Sequence, residues 1–339
     1  YLPERVVTNG EIAEMVVDYD ADRAGGQSLD EWARSRHGGI TRRWAAPNEA
    51  TSDLATKAAR AALAEARMDA KDLDLIVMST ITGDYRLPMA VGMVQASLGI
   101  KAKFLQIDAA CSGFVDSMLV ANGLMDSQGY ENVLVLGADK LTYYSDPTLF
   151  KPLTVFGDGA GAAILHRKQN DDHYGIKSFS VGSDGDLGDY VWVPGGGSRK
   201  PVSQEVLDKG LQYWRFQFPK INVWAVERMA RAATEAVQKA GLSLDDIKWV
   251  VPHQGSMPII SEVAKRLELP EEMFIITYPF TGNLSGASIP IALDYANHEN
   301  KFQDGDWLVM PAVGGGMAWG ALVLRWYDYK TKRNGKAAE

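Results

Sequence analysis

The chain has 339 residues, 46% hydrophobic and 23% charged, a composition that excludes a disordered, collagen-like or coiled-coil protein and predicts two domains or one large α/β unit. With 35 Lys and Arg against 43 Asp and Glu the net charge is −8, and no basic block interrupts the body of the chain, which speaks against a nucleic-acid or anionic-membrane partner. The single cysteine, Cys111, rules out an internal disulfide and a multi-thiolate metal site and favours a cytoplasmic setting. No apolar run reaches the roughly 18 residues of a spanning helix, and the first residues lack the charged and apolar regions of a secretion signal. The chain opens at Tyr1 without a methionine, so further residues are expected to precede it.

Periodicity predicts a helix over 53–67, capped by Ser52 and Asp53, and then a buried strand over 73–80. A helix over 88–98, a strand over 104–108, a helix over 112–127 and strands over 132–137 and 160–166 complete the first half. The order then recurs as helix 222–240, strand 247–251, helix 257–267, strand 273–276, helix 284–297 and strands 306–310 and 319–326. Corresponding elements lie about 160 to 175 positions apart, too far for a solenoid repeat and right for a duplicated domain. Runs such as Leu75-Ile76-Val77-Met78 and Val133-Leu134-Val135-Leu136 lack alternation, as strands covered by helices on both faces do. The expected fold is a layered α/β sandwich of two similar halves, 1–170 and 171–339.

Three segments stand outside that pattern. Residues 168–217 are rich in Gly, Asp, Pro and Ser, including Pro194-Gly195-Gly196-Gly197-Ser198, and form a long connection of the kind that covers active sites. Residues 18–28 contain Gly25-Gly26 and read as a mobile excursion. The charged tail 330–339 is expected to fray.

Cys111 stands where a strand turns into a helix, so its thiol faces the unpaired N–H groups of a helix start. Their partial positive charge favours thiolate and is expected to lower the thiol pKa, which suits a nucleophile. His253, in Val251-Pro252-His253-Gln254, and Asn283, in Gly282-Asn283-Leu284-Ser285, also follow strands. The repeat is expected to give Asn283 the place in the second half that Cys111 holds in the first, so that the two approach across a pseudo-twofold axis. Each residue alone is more often structural. Three of them at strand ends in one duplicated sandwich read as a site.

Asp108-Ala109-Ala110-Cys111-Ser112-Gly113-Phe114, Phe156-Gly157-Asp158-Gly159-Ala160-Gly161, Pro252-His253-Gln254, Gly282-Asn283 and Gly314-Gly315-Gly316 occur in the order and at the spacings of one family. From Tyr1 to Gly320 the sequence resembles the β-ketoacyl-acyl-carrier-protein synthase III family of the thiolase superfamily. The resemblance implies a thiolase-like αβαβα five-layer sandwich, a homodimer, and a catalytic triad of Cys111, His253 and Asn283. Its reaction stores an acyl group on Cys111 while backbone N–H groups of Cys111 and Gly315 hold the tetrahedral oxyanion. A malonyl thioester then loses CO₂, with His253 and Asn283 donating to the developing enolate, and the carbanion attacks the acyl-cysteine to form a β-keto thioester. No metal or redox cofactor is required. Coenzyme A or carrier-protein phosphopantetheine serves only as substrate carrier.

Trp32 and Arg36 match positions where coenzyme-A-using members of the family hold the adenine, whereas a second arginine of that clamp is replaced by Phe150, which cannot pair with phosphate. Phe156 joins the substrate-binding set. Leu87 replaces a phenylalanine that, in short-chain members, crosses the dimer interface and closes the acyl pocket, and Val313 replaces another beside the active centre. Two lost rings open on the order of 100 Å³, so medium or long acyl chains are expected. Lys265 and Arg266 persist on the carrier-protein docking helix, while Pro258 and Val223 stand where basic residues are common. An acidic acyl carrier protein is expected to be attracted there.

The nearest rival is an acyltransferase or non-decarboxylative condenser on the same scaffold; retention of both His253 and Asn283 favours decarboxylation. The order Cys, His, Asn is also that of a papain-like hydrolase, whose local cysteine signature is absent. A non-catalytic acyl-binding module would not need the triad. Gly157-Asp158-Gly159-Ala160-Gly161 lacks the βαβ context of a dinucleotide loop. The five histidines show no i, i+4 pairing with carboxylates, so no metal site is expected.

Overall fold

The computed structural model describes residues 1–168 and 173–329. The expected boundary at 170/171 and the tail 330–339 lie outside the described residues. Strands β1 (Leu75–Ser79), β2 (Lys103–Ile107), β3 (Asn132–Lys140) and β4 (Asp158–His166) form one sheet in the order β2-β1-β3-β4. In it β1 runs parallel to β2 and β3, and β4 antiparallel to β3. A second sheet takes β5 (Gly175–Ser183), β6 (Trp249–Val250), β7 (Trp307–Gly314) and β8 (Ala318–Arg325) in the order β6-β7-β8-β5.

Helices α1 (Thr51–Ala66) and α2 (Ala90–Leu98) cover the outer face of the first sheet, and α3 (Gly113–Gln128) lies between the sheets. Helices α4 (Phe218–Lys239) and α5 (Met257–Leu267) cover the outer face of the second sheet, and α6 (Ser288–His298) joins α3 in the middle. This is the thiolase-like five-layer sandwich. The missing alternation now has its cause: Ile76 and Met78 pack with α1 and α2, whereas Leu75 and Val77 pack with Phe114 and Val115 of α3. Both faces of β1 are apolar because both are buried.

Two departures from the expected elements matter for the site. The strand expected over 273–276 is a 3₁₀ turn, Glu271–Met273, followed by a single bridge between Phe274 and Val250. The Gln254 side chain takes the place of a ladder: its Nε2 donates to the Ile275 carbonyl at 3.0 Å, and its Oε1 accepts from the N–H groups of Thr277 and Tyr278 at 2.9 and 3.0 Å. The 168–217 connection, in turn, contains β5 and a short hairpin of Val191–Trp192 with Arg215–Phe216. Strand β5 was hidden by its serines, whose hydroxyls bond α4: Ser178 Oγ donates to the Ala236 carbonyl and Ser180 Oγ to Glu235.

The N-terminal residues add a small layer of their own, with Arg5–Thr8 pairing antiparallel with Thr41–Trp44 over Val7, Ile12, Leu29, Phe150 and Leu153. The expected excursion 18–28 is tied to this layer. Asp18 accepts from the Phe150 N–H at 2.8 Å, Tyr19 packs edge-on against Phe150, and the Tyr19 hydroxyl donates to the Gln27 carbonyl.

Candidate active site

Cys111 sits in a 3₁₀ turn, Ala110–Ser112, between β2 and α3. Ala110 adopts φ 46°, a left-handed conformation that a residue with a Cβ enters only at a cost. The end of β7 presses on this turn. A Cβ at Gly314 would lie 2.5 Å from the Ala109 carbonyl oxygen and 3.0 Å from the Cys111 nitrogen, so only glycine lets the strand come this close to Cys111.

The expected lowering of the thiol pKa is not what the fold produces. Burial pushes Cys111 up to about 12, the nearby Asp139 charge adds to that rise, and the Ser285 hydroxyl opposes it. The residue opens partly to a cavity, yet its thiol is surrounded by protein. Desolvation of the thiolate therefore outweighs the helix start, whose effect is a fraction of a charge at its end.

The second half carries a matching turn at Ser285–Ala287, leading into α6. Its first residue, Ser285, has φ 51° where Ala110 has 46°. The two turns thus align with an offset of 285 − 110 = 175, which pairs Cys111 with Gly286 and Asn283 with Asp108. Asn283 is not the counterpart of Cys111. An extra turn, Tyr278–Thr281, separates it from the bridge at Phe274.

Asn283 is gripped on both sides. Its N–H donates to the Val155 carbonyl at 2.8 Å, and its carbonyl accepts from Gly157 at 3.1 Å, which explains the Phe156-Gly157 motif. The Ser285 N–H donates to Asn283 Oδ1 at 2.8 Å. With the amide oxygen engaged, the NH₂ end is left as the group offered to the cavity.

His253 follows β6, its N–H bonded to the Pro311 carbonyl at 2.8 Å, and it is 4% exposed. Burial lowers its pKa to about 4, so the imidazole is neutral near pH 7 and has one N–H to give. Its Nδ1 is buried without a partner.

Cys111, His253 and Asn283 all line one cavity of about 570 Å³, together with Gly315, Phe156 and Val313. The hairpin of the long connection forms one wall: Trp214 and Phe216 stack with Phe156 at ring centroid distances of 5.7 and 5.6 Å. Tyr144 meets Trp214 edge-on at 5.2 Å. Trp32 and Arg36 stand at the same cavity, but Phe150 and Leu87 do not. Phe150 is buried beneath Trp32, ring edge to face at 4.9 Å, and supports it. Leu87 is 84% exposed on its own chain. Lys265 and Arg266 are exposed on α5, and Lys265 is paired with Glu262.

Sequence reading missed Ser285, Trp214, Phe216 and Tyr144. The signals present were Ser285 two residues after Asn283 and the alternation of Trp214 and Phe216, neither of which is informative before the chain is folded. It also overlooked one histidine pair, since His298 Nδ1 lies 3.3 Å from Asp294 Oδ1 at i, i+4. Among the described residues no group of three His, Cys, Asp or Glu is placed to hold a metal ion, and no helix is long and apolar enough to cross a membrane.

Residues 105–185 match the family model for 3-oxoacyl-(acyl-carrier-protein) synthase III, and residues 237–326 match that of its C-terminal part. The β-ketoacyl-(acyl-carrier-protein) synthase III of Ruegeria pomeroyi is 41% identical over 330 residues, covering 96% of each chain. The solved 3-oxoacyl-(acyl-carrier-protein) synthase III of Aquifex aeolicus superposes with a TM-score of 0.86 at 34% identity, covering 96% of this chain and 97% of that one. The priming β-ketosynthase of the R1128 polyketide pathway superposes with a TM-score of 0.85 at 28% identity, covering 97% and 94%. With the fold and nearly the whole chain covered by these relatives, the chain belongs to the 3-oxoacyl-(acyl-carrier-protein) synthase III family of condensing enzymes.

Proposed function

We propose that Cys111 is the acyl-accepting nucleophile, that the N–H groups of Cys111 and Gly315 form the oxyanion hole of acyl transfer, and that His253 and Asn283 donate to the enolate formed when a malonyl thioester loses CO₂. The observation that carries the reading is the pair of neutral donors beside the thiol: a buried imidazole near pKa 4 and an amide whose oxygen is already occupied. Such donors stabilise a developing oxyanion without having to reorganise during the reaction. A hydrolase reading gains nothing from this arrangement, because the imidazole is too weak a base at neutral pH to activate water.

A thiol at about 12 is almost wholly protonated at pH 7. Acylation therefore couples deprotonation to attack on the thioester carbonyl rather than drawing on a standing thiolate. The acyl chain then lies along Val313, Phe156, Trp214 and Phe216, walls that suit chains longer than acetyl and bounded in length by the two rings from the connection. The donor arrives on coenzyme A or on a carrier protein past Trp32 and Arg36, and an acidic carrier docks against Lys265 and Arg266. Two copies associate so that Leu87 of each reaches the other's acyl pocket. The halves 1–170 and 171–339 are the repeated units.

Intact-protein mass spectrometry after incubation with a panel of acyl thioesters tests this directly. One acyl mass should appear on the wild type and none on Cys111→Ala. Stoichiometric labelling of the alanine variant would move the nucleophile elsewhere.

A further inference from the structure

Two buried polar groups beside Cys111 have no part in the reaction as described so far. Asp139, at the end of β3, is 0% exposed. Its Oδ1 accepts three hydrogen bonds, from Thr80 Oγ1 at 3.1 Å, the Ile81 N–H at 2.9 Å and Thr82 Oγ1 at 3.0 Å. Its Oδ2 is buried with no partner. Ser285 is 1% exposed, lines the cavity with Cys111, and its Oγ likewise has no partner of settled geometry. The turn that carries Ser285 packs on β3, where a Cβ at Gly137 would lie 2.2 Å from the Gly286 carbonyl oxygen, and the hydroxyl shares the cavity with the thiol and influences both thiol and carboxylate. An unsatisfied hydroxyl in the same neighbourhood as an unsatisfied carboxylate oxygen and a thiol is a costly arrangement in a protein core.

We propose that Ser285 and Asp139 form a proton relay for Cys111, taking up the thiol proton during acylation and returning it when the cysteine is released. In the first half-reaction the Sγ–H bond breaks as the bond from Sγ to the acyl carbon forms. Ser285 Oγ accepts that proton while passing its own to Asp139 Oδ2, and the departing thiolate of the donor takes a proton from water. In the second half-reaction the malonyl carboxylate leaves as CO₂, the carbanion forms its bond to the acyl carbon, and the bond to Sγ breaks. The freed thiolate recovers its proton from Asp139 through Ser285. The cycle consumes one proton, the one added to the donor's thiolate, as decarboxylative condensation requires.

The pairing of roles at Ser285 explains why a serine occupies a left-handed position that glycine would enter more easily. Its backbone N–H orients Asn283 for the malonyl step. Its hydroxyl serves Cys111. Burial raises Asp139 to about 6, with the hydrogen bonds from Ile81, Thr82 and Thr80 and the nearby Ser285 hydroxyl acting against that rise, so near pH 7 the carboxylate is ionised and able to accept. The other titratable groups lining the cavity are Arg36, His37, Asp108, Tyr144, Lys151 and His253.

The relay rests on Cys111 as nucleophile, and the experiment separates the two ideas. Single-turnover acylation by an acyl thioester is measured for Ser285→Ala, Ser285→Gly and Asp139→Asn, and malonyl-thioester decarboxylation is measured for the same substitutions in a Cys111→Ala background. Both serine variants should acylate about tenfold or more slowly at saturating donor, with the donor KM unchanged and acylation falling by a clearly larger factor than decarboxylation. Asp139→Asn should also slow acylation. An aspartate acting only as a through-space charge gives the opposite sign, because its removal favours thiolate and quickens acylation. Wild-type acylation in both serine variants, parallel loss of both half-reactions, or quicker acylation in Asp139→Asn overturns the relay while leaving the nucleophile intact. Acyl transfer to Cys111→Ala would instead overturn the function proposed for Cys111 itself.

Discussion

The turns at Ala110–Ser112 and Ser285–Ala287 share a backbone and differ in chemistry. Each opens with a left-handed residue that is not glycine and feeds a helix of the middle layer. In the first, the second residue is Cys111, whose thiol meets the cavity; in the second it is Gly286, whose lack of a side chain lets the two halves approach. Duplication thus supplied one frame twice. Under the function proposed here, the Cys111 thiol makes one copy reactive, and the other copy holds Asn283 before its turn and Ser285 at its head.

If His253 and Asn283 serve only the malonyl step, removing either should spare the first chemical step. His253→Ala or Asn283→Ala should still take an acyl group onto Cys111 while malonyl decarboxylation falls by about 10² or more, the scale for removing a preorganised donor. Equal losses in both steps would mean that the halves do not divide the labour. Mass spectrometry of the acyl-enzyme and release of CO₂ report the two steps separately.

The close approach of the halves can be broken without touching a catalytic group. A Cβ at Gly137 would lie 2.2 Å from the Gly286 carbonyl oxygen, a backbone atom that cannot swing aside. Gly137→Ala should therefore destabilise the protein by about 1–3 kcal/mol or more. At Gly286 a Cβ would meet the Ser79 hydroxyl at 2.8 Å, a softer obstacle, so Gly286→Ala should cost less. Chemical denaturation ranks the two, and the reverse order would place the tight contact elsewhere.

His253 allows a test by pH. Burial lowers its pKa from 6.5 to about 4, so between those values the unfolded chain binds a proton that the fold refuses, and stability drops as pH falls. The full shift corresponds to about 3 kcal/mol. His37 is lowered likewise, while Asp139 is raised and acts in the opposite direction, so the readout is a difference between proteins. His253→Gln should lose less stability than the wild type between pH of about 7 and 4. Identical slopes would mean that His253 is solvated rather than held neutral.

The smallest expected effect concerns chain length. Trp214→Ala removes one wall of the acyl cavity, and each methylene newly accommodated should strengthen binding by about 0.8 kcal/mol until the space is filled. Competition between acyl donors of increasing length should show the optimum moving upward. An unmoved optimum would assign the length limit to Leu87 of a second copy.

Much of this was legible in the linear chain. The apolar runs of β1 and β3 announced a sheet covered on both faces, and the recurrence of elements about 160 to 175 positions apart announced two halves, because burial patterns are local properties of sequence. The resemblance of the cysteine, histidine and asparagine motifs to one family brought the three site residues together before any fold was drawn. What stayed hidden was of another kind. The Met273 to Ile276 segment has a strand's composition, but a glutamine side chain took the hydrogen bonds that a ladder would have used.

The sequence by itself determined the layers, the duplication and the chemical types at the site, since these follow from periodicity and from which side chains can act as nucleophile or donor. Only the tertiary structure decided how those groups behave. A helix start predicts an acidic thiol, but Cys111 is surrounded by protein and desolvation pushes it the other way. Asp139 and Ser285 are 146 residues apart in the chain, and each is ordinary there. Their meaning lies in being buried, unpaired and adjacent to one sulfur, and a pattern along the chain cannot encode burial contributed by its distant parts.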